Sequence, residues 1–148
     1  MFYVILMVVL VIIDQISKYI VVKNFLEGET IPLIDNFLHI TYVRNYGVAF
    51  GLFQGKINII GIVTITAIIM IIYHIIKNKQ SPLEKLGFML ILSGAVGNMI
   101  DRIFRRFVVD MIDFRGIWSY VFNGADAWIN IGVAIIILDY IITFNKKD

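Results

Sequence analysis

The chain has 148 residues, 59% of them hydrophobic, and a mean hydropathy of +0.86, whereas soluble domains are roughly 45–50% apolar, so the composition indicates an integral membrane protein. A net charge of only +2, dispersed along the chain, argues against nucleic acid as a partner. The absence of cysteine excludes disulfides and thiol catalysis, and because His39 and His74 form no metal-binding motif we expect neither a metal nor a cofactor.

Residues 1–22 form the first predicted spanning helix, because this apolar segment has about the length that a spanning helix needs, roughly 20 residues. A cleaved secretory signal is the alternative. No basic residue precedes the apolar run and no small-x-small cleavage site follows it, so we expect a retained helix.

Asp14 and Lys18 interrupt this helix at four-residue spacing, which places both on one face with the acid N-terminal to the base. Two interpretations stay open for them. They either neutralise each other and make a polar helix end tolerable in lipid, or they serve a nearby active site.

Residues 23–56 differ from the apolar helices, because they contain several Gly, Pro and Asn residues and because H-I-T-Y-V at 39–43 is β-branched and aromatic. They predict a small β element outside the membrane. The segment N-Y-G-V-A-F-G at 45–51 is a turn signal, in which Asn45 either stabilises the turn or offers its amide to a substrate backbone.

Two further spans are predicted at 57–76 and 86–103. The first contains no Asp, Glu, Lys or Arg and is the clearest membrane helix in the chain. The second contains Gly94, Ala95 and Gly97, small residues that permit close helix contact in membranes.

Asn98 and Arg102 share a face of the third span, with Asp101 beside them. One interpretation is an interfacial helix end, where Arg102 reaches the headgroups and pairs with Asp101. We favour a polar cluster that faces the other helices, because Asn98 lies one turn deeper and requires a buried partner.

A loop is predicted over residues 104–126, and it contains the run V-V-D-M-I-D-F. If this run is extended, Asp110 points to one side and Asp113 to the other, so only one of them can face an apolar interior. An ionised carboxylate at membrane depth is costly, which makes Asp110 a candidate functional residue.

The last predicted span, 127–144, begins directly after Asp126, with Asn123 placed to serve as an N-cap. Four spans put both termini on one side of the membrane and put the β element, Asp110 and Asp126 together on the other. The positive-inside rule opposes cytoplasmic termini. The terminal side carries Lys77, Lys79, Lys85, Lys146 and Lys147, whereas the opposite side carries Lys23, Arg44, Lys56, Arg102, Arg105, Arg106 and Arg115.

Asp110 and Asp126 favour hydrolysis by a pair of carboxyl groups. No serine lies in a G-x-S-x-G setting, whereas two aspartates held close together cannot both ionise easily, so one keeps a proton and the other can activate water. Such a pair hydrolyses peptide bonds without a metal or a covalent intermediate. The D-T-G or D-S-G motif of soluble aspartic proteases is absent, which points to a membrane version of the dyad.

Five blocks in order make the chain resemble the lipoprotein signal peptidases, bacterial signal peptidase II, over essentially its full length. They are D-Q-I-S-K at 14–18, N-Y-G-V-A-F at 45–50, G-A-V-G-N-M-I-D-R at 94–102, V-V-D-M-I-D-F at 108–114 and F-N-G-A-D at 122–126. The resemblance implies an aspartic endopeptidase that cleaves prolipoproteins just before a diacylglyceryl-modified cysteine. It also implies a multi-pass protein of the bacterial cytoplasmic membrane with cytoplasmic termini, an extracytoplasmic β-rich segment and an active site near the outer face.

Carried over position by position, the resemblance implies that Asp110 and Asp126 are the catalytic pair, although it does not say which of them activates the water. The polar positions around the substrate and the dyad fall on Asn45, Asn98, Arg102 and Asn123, and supporting positions fall on Asp14 and Lys18. Two residues depart from the family pattern: Arg106 stands where a glycine is usual, and Ala127 where a serine is usual.

The expected partners are lipid-modified prolipoproteins and membrane lipid, and the chain is expected to act as a monomer. A proton- or ion-coupled transporter is the competing interpretation, with Asp14, Asp101, Asp110 and Asp126 as a relay. No internal repeat typical of many transporters is present, and the acids cluster at one face. A structural membrane subunit would give no reason for the paired aspartates.

Overall fold

Four long helices and a small sheet make up the chain in the computed structural model, which describes residues 1–47 and 54–144. The elements in chain order are α1 (Phe2–Asn24), β1 (Thr30–Ile34), β2 (Leu38–Asn45), α2 (Ile57–Lys77), α3 (Pro82–Phe104), β3 (Val108–Phe114) and α4 (Gly124–Phe144). The predicted helical membrane fold with a small β element is confirmed. Residues 48–51 of the N-Y-G-V-A-F-G segment, together with Lys146 and Lys147, lie outside the described residues.

All four helices are long and apolar enough to cross a membrane. Their outer faces carry large exposed apolar side chains, among them Ile62, Met70 and Tyr140. Such extended apolar faces are tolerated where lipid covers them. The chain is therefore a multi-pass membrane protein.

Helix α3 lies at the centre of the bundle, in contact with α1, α2 and α4. Glycines let α4 approach it closely, since a methyl group at Gly94 would overlap the Ala125 carbonyl oxygen. Gly97 makes room for α1 in the same way, because a Cβ there would lie 2.6 Å from Asp14 Oδ2. These two glycines confirm the predicted close contacts, whereas Ala95 lines a cavity instead.

Helix α3 begins at Pro82, four residues before the predicted span, because Ser81 caps it: the Ser81 hydroxyl oxygen accepts a hydrogen bond from the Glu84 amide at 3.0 Å. Helix α4 likewise begins at Gly124, not at 127. Both differences reflect capping turns that hydropathy does not detect.

The sheet has the antiparallel order β1-β2-β3. The predicted strand at 39–43 is confirmed within β2. The prediction of a loop over 104–126 is wrong for Val108–Phe114, which forms β3 and pairs with β2. β3 lies more than sixty residues after β2 in the chain, so no local sequence pattern predicts that the two strands pair.

The sheet is held against the end of α1 by a buried apolar cluster of Val21, Tyr42, Val109 and Met111. Because β2 belongs to the α1–α2 connection and β3 to the α3–α4 connection, their pairing holds both connections at one end of the bundle. We call it the sheet end. Polar residues from five elements converge there.

Candidate active site

Asp110 lies in β3 and is 2% exposed. Two amide groups donate hydrogen bonds to its carboxylate: Asn45 Nδ2 to Oδ2 at 2.9 Å and Asn123 Nδ2 to Oδ1 at 2.6 Å. Asp113, three residues further along the strand, faces the other way and pairs with Arg115. The predicted division between an inward and an outward aspartate is therefore confirmed.

The position of Asp110 is set by a register shift in β2. Ile40 pairs with Ile112, but Val43 pairs with Asp110, so β2 has one more residue than β3 between these two pairs. Such a bulge bends the strand and reorients the neighbouring side chains. It lets Asn45, the last residue of β2, reach the Asp110 carboxylate.

Burial and, to a smaller extent, the nearby Asp126 carboxylate raise the pKa of Asp110 to about 7. The hydrogen bonds from Asn45 and Asn123 act in the opposite direction on this pKa, because they favour the ionised form. Near neutral pH, the Asp110 carboxyl therefore exists in both protonation states.

Asp126 lies in the first turn of α4. Its Oδ1 accepts a hydrogen bond from Asn98 Nδ2 at 2.7 Å, and its Oδ2 accepts one from the Asn123 amide at 3.4 Å. Asn98 is 6% exposed and thus has the buried partner that its depth required. This confirms the predicted polar cluster and excludes the interfacial helix end for Asn98.

Asn123 joins the two aspartates. Its side-chain oxygen accepts a hydrogen bond from the Asp126 amide at 2.9 Å, which makes it the predicted N-cap of α4, while its Nδ2 donates to Asp110. Because Asn123 caps the helix, the serine hydroxyl missing at Ala127 is not needed for that purpose. One fully buried residue thus contacts both carboxylates, that of Asp110 through its side chain and that of Asp126 through its backbone amide.

Both aspartates line a cavity of about 1090 Å³ between the sheet and helices α2, α3 and α4. Its wall along the helices is mainly apolar, with Val63 and Ala67 from α2, Ile91 and Ala95 from α3 and Ile129 from α4. A mostly apolar cavity with a few convergent polar groups is typical of a ligand site. This one has room for an extended peptide segment and a hydrocarbon chain.

Arg102 also lines this cavity. Its guanidinium donates to the carbonyl oxygens of Asn98 at 3.4 Å and Gly47 at 3.3 Å, and within the described residues it forms no ion pair with a carboxylate. The interpretation in which Arg102 pairs with Asp101 is therefore wrong. Long, partly exposed bonds leave several guanidinium donors available to a bound molecule.

Lys18 and Asp14 lie behind the aspartates and are completely buried. Lys18 Nζ lies 2.9 Å from Asp14 Oδ2 and 3.1 Å from Asp101 Oδ2, and it donates to Asn98 Oδ1 at 3.0 Å. Asp14 Oδ1 accepts a hydrogen bond from the Ala125 amide at 3.0 Å, in the first turn of α4. The pair is thus neutralised internally, and it also contacts Asn98 and the first turn of α4, which hold Asp126 in place; whether it serves catalysis stays a prediction.

Three residues of this buried cluster were not predicted as site residues: Gln15, Asp101 and Arg105. Asp101 accepts from the Val109 amide at 3.1 Å and pairs with Arg105, whose guanidinium also donates to Gln15 Oε1 at 3.0 Å. The four-residue spacing of Asp101 and Arg105 is the only local signal of this arrangement. It ties α1, α3 and the start of β3 together.

All eight predicted site residues thus belong to one connected hydrogen-bond network. Asn45, Asn98, Arg102, Asp110 and Asp126 line the cavity, whereas Asn123, Asp14 and Lys18 support it from behind. Among residues 1–47 and 54–144, no three His, Cys, Asp or Glu side chains converge in a way that would hold a metal ion.

Comparison with known proteins gives a consistent result. The family model described as signal peptidase (SPase) II matches residues 6–142. The lipoprotein signal peptidase of Fusobacterium nucleatum is 56% identical over 99% of this chain and 90% of its own length. That of Clostridioides difficile is 42% identical over 100% of this chain and 99% of its own.

A solved structure agrees with these sequence matches. A bacterial membrane enzyme solved by the in meso method at 2.3 Å resolution superposes with a TM-score of 0.94 at 36% identity, covering 99% of this chain and 91% of that one. The predicted family is confirmed, and the transporter alternative finds no support. The chain belongs to the signal peptidase II family of membrane proteases.

Proposed function

We propose that this chain is an aspartic endopeptidase that removes the signal peptide from diacylglyceryl-modified prolipoproteins by cleaving before the lipidated cysteine. Membership of the signal peptidase II family supports the substrate class. The observation that supports the chemistry best is that Asp110 and Asp126 share Asn123 at the wall of a mainly apolar cavity.

The dyad needs one proton in the resting enzyme. With a pKa of about 7 at Asp110, the pair can hold a single shared proton near neutral pH. The ionised carboxylate then takes a proton from water as the water attacks the scissile carbonyl carbon. The protonated carboxyl donates to the carbonyl oxygen, and the tetrahedral intermediate collapses as the departing amine is protonated.

The polar residues around the dyad hold groups in place and do not react. Asn45 and Asn98 each donate to one aspartate and so fix both carboxylates, while Arg102 offers donors to the substrate backbone. The apolar cavity wall from α2, α3 and α4 accepts the hydrocarbon of the lipidated cysteine. This side of the cavity therefore recognises the substrate by its lipid.

Cleavage of a diacylglyceryl-modified prolipoprotein by the purified chain in detergent, with chelator present, tests the proposal. We expect Asp110→Asn and Asp126→Asn to abolish cleavage. Asp113→Asn is the matched control, because Asp113 lies on the same strand but faces outward, and it should retain activity. The same prolipoprotein without its lipid should not be cleaved.

Three results would contradict this proposal: cleavage that survives in either dyad variant, cleavage that stops in chelator, and equal cleavage of the unlipidated protein. The first would break the dyad assignment and the second would require a metal. The third would remove the role of the lipid.

We also propose that the chain lies in the bacterial cytoplasmic membrane as a monomer, with both termini in the cytoplasm and the sheet end at the outer face. The family supports this orientation, whereas the count of basic residues opposes it. Because the chain has no cysteine, single introduced cysteines report sidedness without background. In intact spheroplasts, a membrane-impermeant maleimide should label exposed Asp35→Cys at the sheet end and should label Lys79→Cys only after permeabilisation.

A further inference from the structure

A second groove runs between α2 and α3, separate from the cavity that holds the aspartates. It has a volume of about 250 Å³. Apart from Asn58 and two arginines its walls are apolar: Ile57, Ile62 and Ile65 come from α2, and Met99 and Ile103 come from α3. From Ile57 to Ile65 the helix rises by about 12 Å, so the groove extends from the sheet end well into the bilayer.

Two arginines stand at the sheet end of this groove, Arg102 and Arg106, and none of the described residues that line it is acidic. Cations are thus concentrated at the membrane–water boundary, and apolar side chains continue toward the membrane interior. The same order, charge first and hydrocarbon below, describes a phospholipid with an anionic headgroup.

Arg106 adopts a conformation that is unusual for its residue type. Its φ is +66°, in the left-handed region, where it ends α3 with its amide donating to the Asp101 carbonyl oxygen at 3.1 Å. Glycine is the common residue at such a helix end because it has no Cβ to strain. A strained non-glycine residue is a reason to look for a function of its side chain.

The Arg106 side chain is exposed and, within the part of the chain that the structure describes, its guanidinium makes no hydrogen bond or ion pair. Arg105, its neighbour, is instead committed to Asp101 and Gln15. The strained backbone therefore presents a free guanidinium at the mouth of the groove.

Arg102 is the second cation at this mouth and also borders the cavity of the aspartates. Its guanidinium donates two long hydrogen bonds to carbonyl oxygens, at 3.3 and 3.4 Å, and its other donors remain available to a ligand. Two guanidinium groups that share one site match the geometry of a phosphate, which accepts paired N–H donors.

We propose that the α2–α3 groove is a binding site for an anionic phospholipid, with its phosphodiester on Arg106 and Arg102 and one acyl chain along Ile62 and Ile65. A zwitterionic lipid is disfavoured, because its ammonium would lie beside two arginines and no described residue of the groove offers it a carboxylate. Arg102 borders both this groove and the cavity of the aspartates, but lipid binding requires no peptide cleavage and can therefore be measured without it.

Native mass spectrometry of the purified chain in a neutral detergent tests the proposal. The probes are phosphatidylglycerol and phosphatidylcholine with identical acyl chains, added at increasing concentration. Phosphatidylglycerol should bind more tightly than phosphatidylcholine. Inorganic phosphate, added as a competitor, should not displace it at comparable concentrations, because phosphate lacks the chain that fills the apolar groove.

Arg106→Gly is the informative variant, because glycine adopts the same backbone conformation without strain while the charge is lost. It should weaken phosphatidylglycerol binding about fivefold, the effect of one basic residue near an anionic headgroup. Arg106→Lys keeps the charge and should retain most of the binding. Lys23→Gln removes an exposed cation at the sheet end away from the groove, and it should change nothing.

A second variant blocks the apolar part of the site. A Cβ at Gly61 would lie 3.9 Å from Met99 Cε, an ordinary contact, so the backbone accepts a side chain there, and the side chain of Gly61→Leu should occupy the groove. It should weaken phosphatidylglycerol binding while leaving both arginines in place.

Four results would overturn the proposal. These are equal affinities for the two lipids, unchanged binding in Arg106→Gly, unchanged binding in Gly61→Leu, and displacement of the lipid by inorganic phosphate alone. The last result would mean an anion site without a role for the hydrocarbon chain.

Discussion

Replacing Asn45 with alanine tests how the environment of Asp110 sets the pH range of the enzyme. Asn45 Nδ2 donates to Asp110 Oδ2 at 2.9 Å and so favours the ionised carboxylate. Without this donor the ionised form is less stable, and the pKa of Asp110 rises above its value of about 7. The protonated form then persists to higher pH, which extends activity on the basic side.

The size of this change follows from the energy of the lost bond. A hydrogen bond to a charged group contributes about 1.5–3 kcal/mol, and water entering the open cavity replaces roughly half of it. Since about 1.36 kcal/mol corresponds to one pH unit, we expect the basic limb to move from near pH 7 to near pH 8.

The assay is kcat/KM for the lipidated prolipoprotein between pH 5 and 9, because this ratio reports the pKa values of the free enzyme. Thr64→Val is the control, since Thr64 lines the same cavity but its hydroxyl donates to the Ile60 carbonyl oxygen at 2.9 Å. A lower rate with an unmoved basic limb would refute the reasoning, and would assign Asn45 to substrate binding alone.

Three further variants test the packing around the site. Lys18→Met leaves Asp14 buried without its cation and should lower the free energy of SDS-induced unfolding by about 3–5 kcal/mol. The double variant Lys18→Met/Asp14→Asn should restore part of this stability. A loss below about 1 kcal/mol would contradict the buried ion pair. In Gly94→Ala the added methyl group overlaps the Ala125 carbonyl oxygen, so the variant should displace α4, lower the free energy of unfolding by about 1–3 kcal/mol and lower kcat. Full activity would show that this contact does not position the helix. Arg106→Gly should raise stability by about 1 kcal/mol by relieving backbone strain, and a lower unfolding midpoint would disprove that strain.

The helices could be predicted from the sequence because the membrane imposes a length and a composition on each of them. β2 could be predicted because β-branched and aromatic residues lie between clear turn signals. β3 was not predicted, because its sequence V-V-D-M-I-D-F forms a strand only through its pairing with β2, which lies far away in the chain. Contacts between segments distant in the chain carry no local pattern.

The same distinction applies to the site. The depth of Asn98 in an apolar helix required a polar partner, and the alternation around Asp110 required one inward carboxylate, so both were predictable from local physics. The identity of the partners was not. That Lys18 reaches Asn98 and Asp101 from α1 depends on how closely α1 packs on α3, which only the folded chain determines.

The distribution of the carboxylates and their donors over five elements has a consequence for biosynthesis. Asp110 and Asp126 come from β3 and α4, and the side chains that orient them come from β2, α3 and the turn before α4, with a buried cation from α1 behind them. No early portion of a nascent chain contains the assembled pair. With the catalytic role proposed for these two aspartates, proteolytic capacity arises only once α4 has inserted and docked, so a half-made polypeptide would not cut its neighbours during membrane insertion.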